Sequence, residues 1–239
     1  MTLLPTLNRL KLLQTFLNSA IECETESPGL IIVDKEDMAK NKLKYDALKM
    51  PLSYSIVVTD AVKMGDKIRE VWPQVKSKNP QWVNVLNDDH VIKTKHWDKI
   101  LEKKLDGTNF VTCNDNWMSP RKAAGATMFS MELLDTVGWP IYPPGMQHLF
   151  IDDLWETIGY GTGCWQIDHS VTIEHNNQLK TPHLRDTTFF EVYGKGSDLT
   201  KNPMWQNDHA VYKNIVEKDY LTIKNKIRKL RGQLEIQYQ

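Results

Sequence analysis

Apolar and polar positions alternate in blocks along the chain, and each block predicts an element. Thr2–Leu4 is a short apolar run closed by Pro5, which reads as a strand, and Thr6–Arg9 is a polar turn. Leu10, Leu13, Phe16, Leu17 and Ala20 then recur at helical spacing. "GLIIVDKED" reads as a buried strand, Leu30–Val33, ending in charge at Asp34, and "SYSIVVTD" as a third strand ending at Asp60. "DAVKMGDKIREVW" continues as a helix, "QWVNVLNDDH" is a fourth strand ending at Asp88, "HWDKILEKKL" is helical and "NFVTC" is a fifth strand. Strands that alternate with helical patterns predict an α/β domain, its central sheet mainly parallel and flanked by helices.

The second half is less regular. "SMELLDTVG" predicts a short helix with Ser130 as N-cap and Gly138 just past its end. The three prolines of "WPIYPPG" require an irregular loop. "FIDDLWETIG" predicts a short helix ending near Gly159, and "SVTIEH" a strand closing on His175. Residues 176–206 are polar and read as a mobile stretch. Asp208–Leu234 reads as one long helix with an apolar stripe of Val211, Ile215, Ile223, Ile227, Leu230 and Leu234. The expected organisation is one domain in two halves, 1–106 and 107–180, followed by a loop and helical extension, 181–239.

Composition narrows the class. With 239 residues the chain can bury a substantial core, and 41% hydrophobic against 25% charged residues is ordinary for a globular protein. Thirty Lys and Arg balance thirty Asp and Glu, so net charge makes no case for nucleic acid or an anionic membrane. Cys23, Cys113 and Cys164 form no disulfide framework, which makes a reducing cytoplasm the expected compartment. "MTLLPTLNRLKLL" lacks the pattern of a secretory leader, and no run approaches the ~20 apolar residues of a membrane span.

Ligands of open parallel sheets bind beyond the carboxyl ends of the strands. Those ends carry Thr6–Arg9, Asp34–Asp37, Asp60 and Asp88–His90. In "VLNDDHVI", Asp88 and Asp89 offer carboxylates to a hard divalent cation; a capping turn is the other reading. Asp152 and Asp153 suit a general base, or equally a helix start where the dipole favours acids. His175 is a ligand only if it faces Asp89, and otherwise a hydrogen-bonded strand end. Trp117, Trp139 and Trp155 read either as a stacking platform for an acceptor or as core. Asp168-His169 and Asp208-His209 read as surface pairs. "GKGS" lacks the spacing of a phosphate loop, and neither G-x-G-x-x-G nor G-x-S-x-G occurs.

The order of these motifs resembles the nucleotide-sugar-dependent glycosyltransferases of the GT-A fold, in particular short bacterial, phage and viral inverting members. The likeness runs from Thr2 to about Asn177 and is carried by "LLPTLNRLKLLQTFLNS", "IIVDKED", "KMGDKIREV", "NDDH", "GATMFSMELLDTVGW", "HLFIDDLWETIG" and "IEHNN". It implies that Pro5, Thr6, Asn8 and Arg9 meet the nucleotide base. It implies that Asp34, with Lys35 and Asp37 nearby, reads that base, and that the helix bearing Lys67 lies near the donor diphosphate. Asn87-Asp88-Asp89 is similar to a DXD motif with Asn in the first position. Asp88 would approach the ribose or sugar, and Asp89 with His175 would bind Mn²⁺ or Mg²⁺. Asp153 would be the base and Asp152 its acidic neighbour.

The implied activity is transfer of a hexose or pentose from a nucleotide-diphosphate donor, with a UDP-sugar favoured, to a hydroxyl of a glycan, a protein or a hydroxymethylated DNA base. Seven basic and two acidic residues in 213–231 favour the DNA acceptor, while zero net charge disfavours it. The compartment would be the cytoplasm, that of the host for a viral member. A metal-dependent phosphohydrolase and a non-catalytic nucleotide-sugar-binding protein are the competing readings.

Overall fold

The computed structural model describes residues 1–116, 126–176, 190, 198–234 and 236. Its first half follows the expected alternation: β1 (Thr2–Pro5), α1 (Leu10–Glu22), β2 (Gly29–Asp34), α2 (Lys35–Asp46), β3 (Tyr54–Thr59), α3 (Met64–Ser77), β4 (Trp82–Val85), β5 (His90–Ile92), α4 (Trp97–Glu102) and β6 (Phe110–Asn114). The second half adds β7 (Thr127–Ser130), α5 (Met131–Val137), α6 (Ile151–Thr162), β8 (Trp165–His175), α7 (Pro203–Asn214) and α8 (Tyr220–Leu230).

Three elements lie outside the sequence-based expectation, one of them the four-residue strand β7. "KEDMAKNKLKYD" forms α2 although it has no apolar period; only Asp37 and Tyr45 are buried. Its start is set by Asp34, whose extended backbone and carboxylate cap the amide of Asp37. β5 is three residues long, too short for periodicity to reveal.

Several boundaries also move. β4 ends at Val85, so Asp88 lies in the turn beyond the strand. α6 runs on to Thr162. Ser130 stands at the N-cap of α5, but its hydroxyl donates to the carbonyl of Asn109 at 2.7 Å and not into the helix. The expected long C-terminal helix is two helices joined by a π-helical segment, Ile215–Asp219, and it begins at Pro203 and ends at Leu230. The described end of the polar stretch, 198–206, holds a 3₁₀ turn, Leu199–Lys201, and the first turn of α7, which Asn202 caps. "GKGS" lies outside the described residues.

The strands form one eight-stranded sheet in the order β3-β2-β1-β4-β7-β6-β8-β5. β3, β2, β1 and β4 are parallel, and so are β6 and β8; β7 runs against β4 and β6, and β5 against β8. Alternate side chains of each strand enter opposite layers. Leu3, Leu30, Ile32 and Phe110 pack with α3, α5, α6, the π segment and α8 on one face. Leu4, Ile31, Val33, Val111 and Cys113 pack with α1, Tyr45 of α2 and α4 on the other. The polar ends of β1, β2 and β4 therefore meet along one edge.

Candidate active site

The first part of the site grows from the end of β1. Thr6 is 3% exposed and its hydroxyl donates to Asp88 Oδ2 at 2.7 Å. Arg9, at the start of α1, donates to Asp88 Oδ1 at 3.2 Å and lies 3.6 Å from Asp89 Oδ2. Lys67 of α3 is 1% exposed; its ammonium donates to the carbonyl of Thr6 at 2.6 Å and to Asp34 Oδ2 at 3.1 Å. Asp34 Oδ1 accepts from the amide of Asp37, and Asp37 Oδ2 accepts from the amide of Asn8 at 2.5 Å and the hydroxyl of Tyr45 at 2.7 Å. Four chain segments are thus tied by buried charge-assisted hydrogen bonds, which are about twice as strong as neutral ones.

The second part is the Asp89–His175 pair. β5 and β8 place His90 directly opposite His175, and the amide of Asn176 donates to the carbonyl of Asp89 at 3.0 Å. The two imidazoles stack at 4.5 Å. His175 Nε2 comes within 3.4 Å of Asp89 Oδ1, with both side chains about a tenth exposed. The backbone of His175 is fixed by the carbonyl of Asp115, at the end of β6.

This setting pushes the two adjacent carboxylates apart. Burial raises Asp88, and the charge of Asp89 adds to the effect against the pull of Arg9. Burial also opposes ionisation of Asp89, but the hydrogen bond and charge of His175, with His90 and Arg9, outweigh it and hold Asp89 below the ordinary range. His90 is fully buried and pushed down to about 3 by burial and the neighbouring His175, so it stays neutral.

The third part faces this edge from α6. The loop before α6 is stitched to α3: the amide of Gly65 donates to the carbonyl of Gln147 at 2.7 Å, and Arg69 donates to the carbonyls of Pro143 and Met146. His148 Nδ1 lies 3.2 Å from Met64 Sδ, which also takes the Tyr142 hydroxyl at 2.9 Å. Burial lowers the His148 pKa, and the charges of Asp208, Asp89 and Arg9 all reach it. Asp152 and Asp153 occupy the first turn of α6, and the charges of Asp152 and Asp208 both act on Tyr142.

The structure thus gathers Thr6, Arg9, Asp88, Asp89 and His175, with Pro5 buried at the end of β1 and Asn8 beside Asp37. It sets other expected residues apart. Lys35 is solvent-exposed and pairs with exposed Asp60 at 2.5 Å. Asp34 and Lys67 are engaged with each other beneath the edge, so they brace the turn and do not present free charges. Trp155 is 2% exposed, donates to the carbonyl of Ile141 and packs edge-on against Phe110 and at a tilt against Phe129, which makes it a core residue and no acceptor platform. Trp139 packs against the same core. Trp117 lies outside the described residues. Asp208, expected at the surface, is fully buried. Sequence reading missed His148, Met64 and Tyr142; only the lone histidine before an acidic helix start hinted at them.

No family model and no curated protein matches the chain. Among solved structures, TarS of S. aureus is similar with a TM-score of 0.53 and 12% identity, covering 97% of this chain and 52% of that one. Residues 1–349 of TarS, solved with UDP, give a TM-score of 0.52 at 12% identity over 97% and 86% of the two chains. The mannosyltransferase PcManGT from Pyrobaculum calidifontis, solved with GDP-Man and Mn²⁺, gives 0.51 at 12% identity over 97% and 73%. The chain spans about half the length of the longer TarS structure. At such identities the likeness is one of architecture, and the chain has the GT-A glycosyltransferase fold.

Proposed function

We propose that the chain is a nucleotide-sugar glycosyltransferase that uses Mn²⁺ or Mg²⁺. The observation that carries this reading is the buried Asp89–His175 pair beside the Arg9–Asp88–Thr6 turn, at the carboxyl edge of a parallel sheet. The donor set fits such a metal. Among the described residues no three His, Cys, Asp or Glu converge into a closed cage. A carboxylate and an imidazole nitrogen suit a cation that completes its shell with phosphate oxygens and water. Bound there, the metal would neutralise charge on the departing diphosphate.

The chain's own groups have distinct tasks in this reading. Asp89 and His175 hold the metal. Arg9 and Thr6 orient Asp88 toward the donor ribose or sugar. Asp153 takes the proton of the acceptor hydroxyl, with Asp152 as its acidic neighbour, and attack from the far side inverts the anomeric centre. TarS was solved with UDP and PcManGT with GDP-Man, which supports a nucleoside-diphosphate donor here, with UDP favoured. Glycan, protein and modified DNA stay the acceptor classes. No described helix is long and apolar enough to cross a membrane. A phosphohydrolase would need two close metals, for which the described residues supply too few ligands.

Thermal unfolding with UDP, GDP, dTDP or CDP, each with and without Mn²⁺, tests this. One nucleotide should stabilise the protein in a metal-dependent manner, by about 2.7 kcal/mol at a hundredfold excess over Kd. Asp89→Ala should abolish the effect. If no nucleotide stabilises the protein with any metal, the reading is wrong.

A further inference from the structure

The C-terminal helices pack far from the strand ends in sequence, yet α7 sends one carboxylate into the loop that precedes α6. Asp208 is fully buried. Its Oδ1 accepts the amide of Gln147 at 2.8 Å, and its Oδ2 accepts the amides of His148 at 2.8 Å and Leu149 at 2.7 Å. Asn207 beside it donates to the carbonyl of Gly145 at 2.8 Å and to Asp208 Oδ1. Three successive backbone donors on one carboxylate form an anion nest, here filled from within the chain. Burying an aspartate needs such compensation, because an unpaired buried charge is strongly destabilising.

Two of these residues are also held from the other side. Gly65 takes the carbonyl of Gln147, and Met64 meets the ring of His148. Gly65 is at this position because a Cβ would come within 2.2 Å of the carbonyl oxygen of Met146. Two residues further along α3, Lys67 binds the carbonyl of Thr6 and Asp34. A continuous chain of hydrogen bonds therefore links the nucleotide edge, through α3, to the 147–149 loop and on to α7. Phe150, which follows the clamped loop, enters α6 with a left-handed backbone, φ 61°, and packs on Trp205, His209 and Tyr212 of α7. α6 is thereby aimed by α7 at the point where Asp152 and Asp153 begin.

The geometry points to Asp208 as a positioning residue: its carboxylate fixes the 147–149 backbone and so sets where His148 and the acidic first turn of α6 stand relative to Asp89. This rests on the transferase reading for its effect on turnover, while the clamp itself stands on the hydrogen bonds alone. It assigns a role to α7, a helix of the C-terminal extension.

Asp208→Asn turns one acceptor oxygen into an amide that faces backbone donors. In hydrogen exchange, the amides of Gln147, His148 and Leu149 should open roughly tenfold faster than in the parent protein. The Mn²⁺-dependent stabilisation by nucleotide should be retained, and kcat should fall on the order of a hundredfold while donor KM stays within about twofold. Trp205→Ala is the contrast: it removes packing on Phe150 but no acceptor, so it should lower the melting temperature and leave the exchange of the 147–149 amides near the parental rate. Asp208→Glu keeps the buried charge and displaces the loop by a methylene, and it should lower kcat in the same direction if Asp208→Asn does not fold. Unchanged kcat in both Asp208 variants overturns the proposal, whether or not the amides exchange faster. Nucleotide binding lost in the parent protein itself would instead overturn the transferase reading and leave the exchange result to judge the clamp.

Discussion

The two sides of the candidate site are held by different kinds of bond. At the edge formed by β1, β2 and β4, paired side chains dominate, Lys67 with Asp34, Thr6 and Arg9 with Asp88 and Tyr45 with Asp37, joined by three backbone contacts to the Thr6 carbonyl and the amides of Asn8 and Asp37. On the α6 side, side chains and backbone groups hold backbone: Asp208 takes three amides, Arg69 two carbonyls, and Gly65 one carbonyl through its own amide. The first arrangement depends on residue types and shows in the sequence as clustered charge. The second depends on where the chain passes, and almost any residue could supply the backbone partner.

The largest effect separating the two sides should come from Asp153→Asn. If Asp153 is the base, kcat falls about 10²–10⁴-fold while nucleotide-induced stabilisation persists. Loss of that stabilisation would move Asp153 to the nucleotide side. Next is Lys67→Met, which leaves Asp34 buried without its cation. Urea unfolding should show a loss of roughly 3–5 kcal/mol, much of it recovered by adding Asp34→Asn. A loss below 1 kcal/mol would mean that the buried network does not brace the turn.

Gly65→Ala tests the seam between the sides. Its Cβ would lie 2.2 Å from the carbonyl oxygen of Met146, so a cost of about 1–3 kcal/mol from overpacking is expected, together with a lower kcat. An alanine variant with parental stability and turnover would show that α3 and the loop are not closely coupled.

The smallest effect is on pH. His90 titrates near 6.5 when unfolded and is held at about 3 in the fold. Between those values the unfolded chain binds the extra proton, so stability falls as pH drops. The lowered pKa of His148 acts with the same sign. Asp88 acts oppositely, since its raised pKa gives stability at low pH that is lost as pH rises. The net loss from pH 7 to pH 5 should be on the order of 1 kcal/mol, and His90→Gln should remove most of it. Equal slopes in the variant and the parent would assign the pH dependence elsewhere.

The amino-acid sequence by itself determined β1 to β4 and β6 with the helices α1, α3 and α4 among them, because apolar runs, helical periods and charged strand ends are local patterns. It also placed Asp88, Asp89 and His175 among the candidates, although 85 residues separate the last two. Their meeting was decided by the β5–β8 pairing, and a three-residue strand leaves no readable period. α2 was hidden because its stability comes from the Asp34 cap and the buried Tyr45 hydrogen bond, not from an apolar stripe. Trp155 illustrates the reverse: its residue type allowed a surface platform, and only packing against Phe110 and Phe129 made it core. Asp208 was legible only as half of an Asp208-His209 pair that read as surface. Tertiary structure gave it three amides at once, because backbone donors gather wherever the fold bends the chain around a charge.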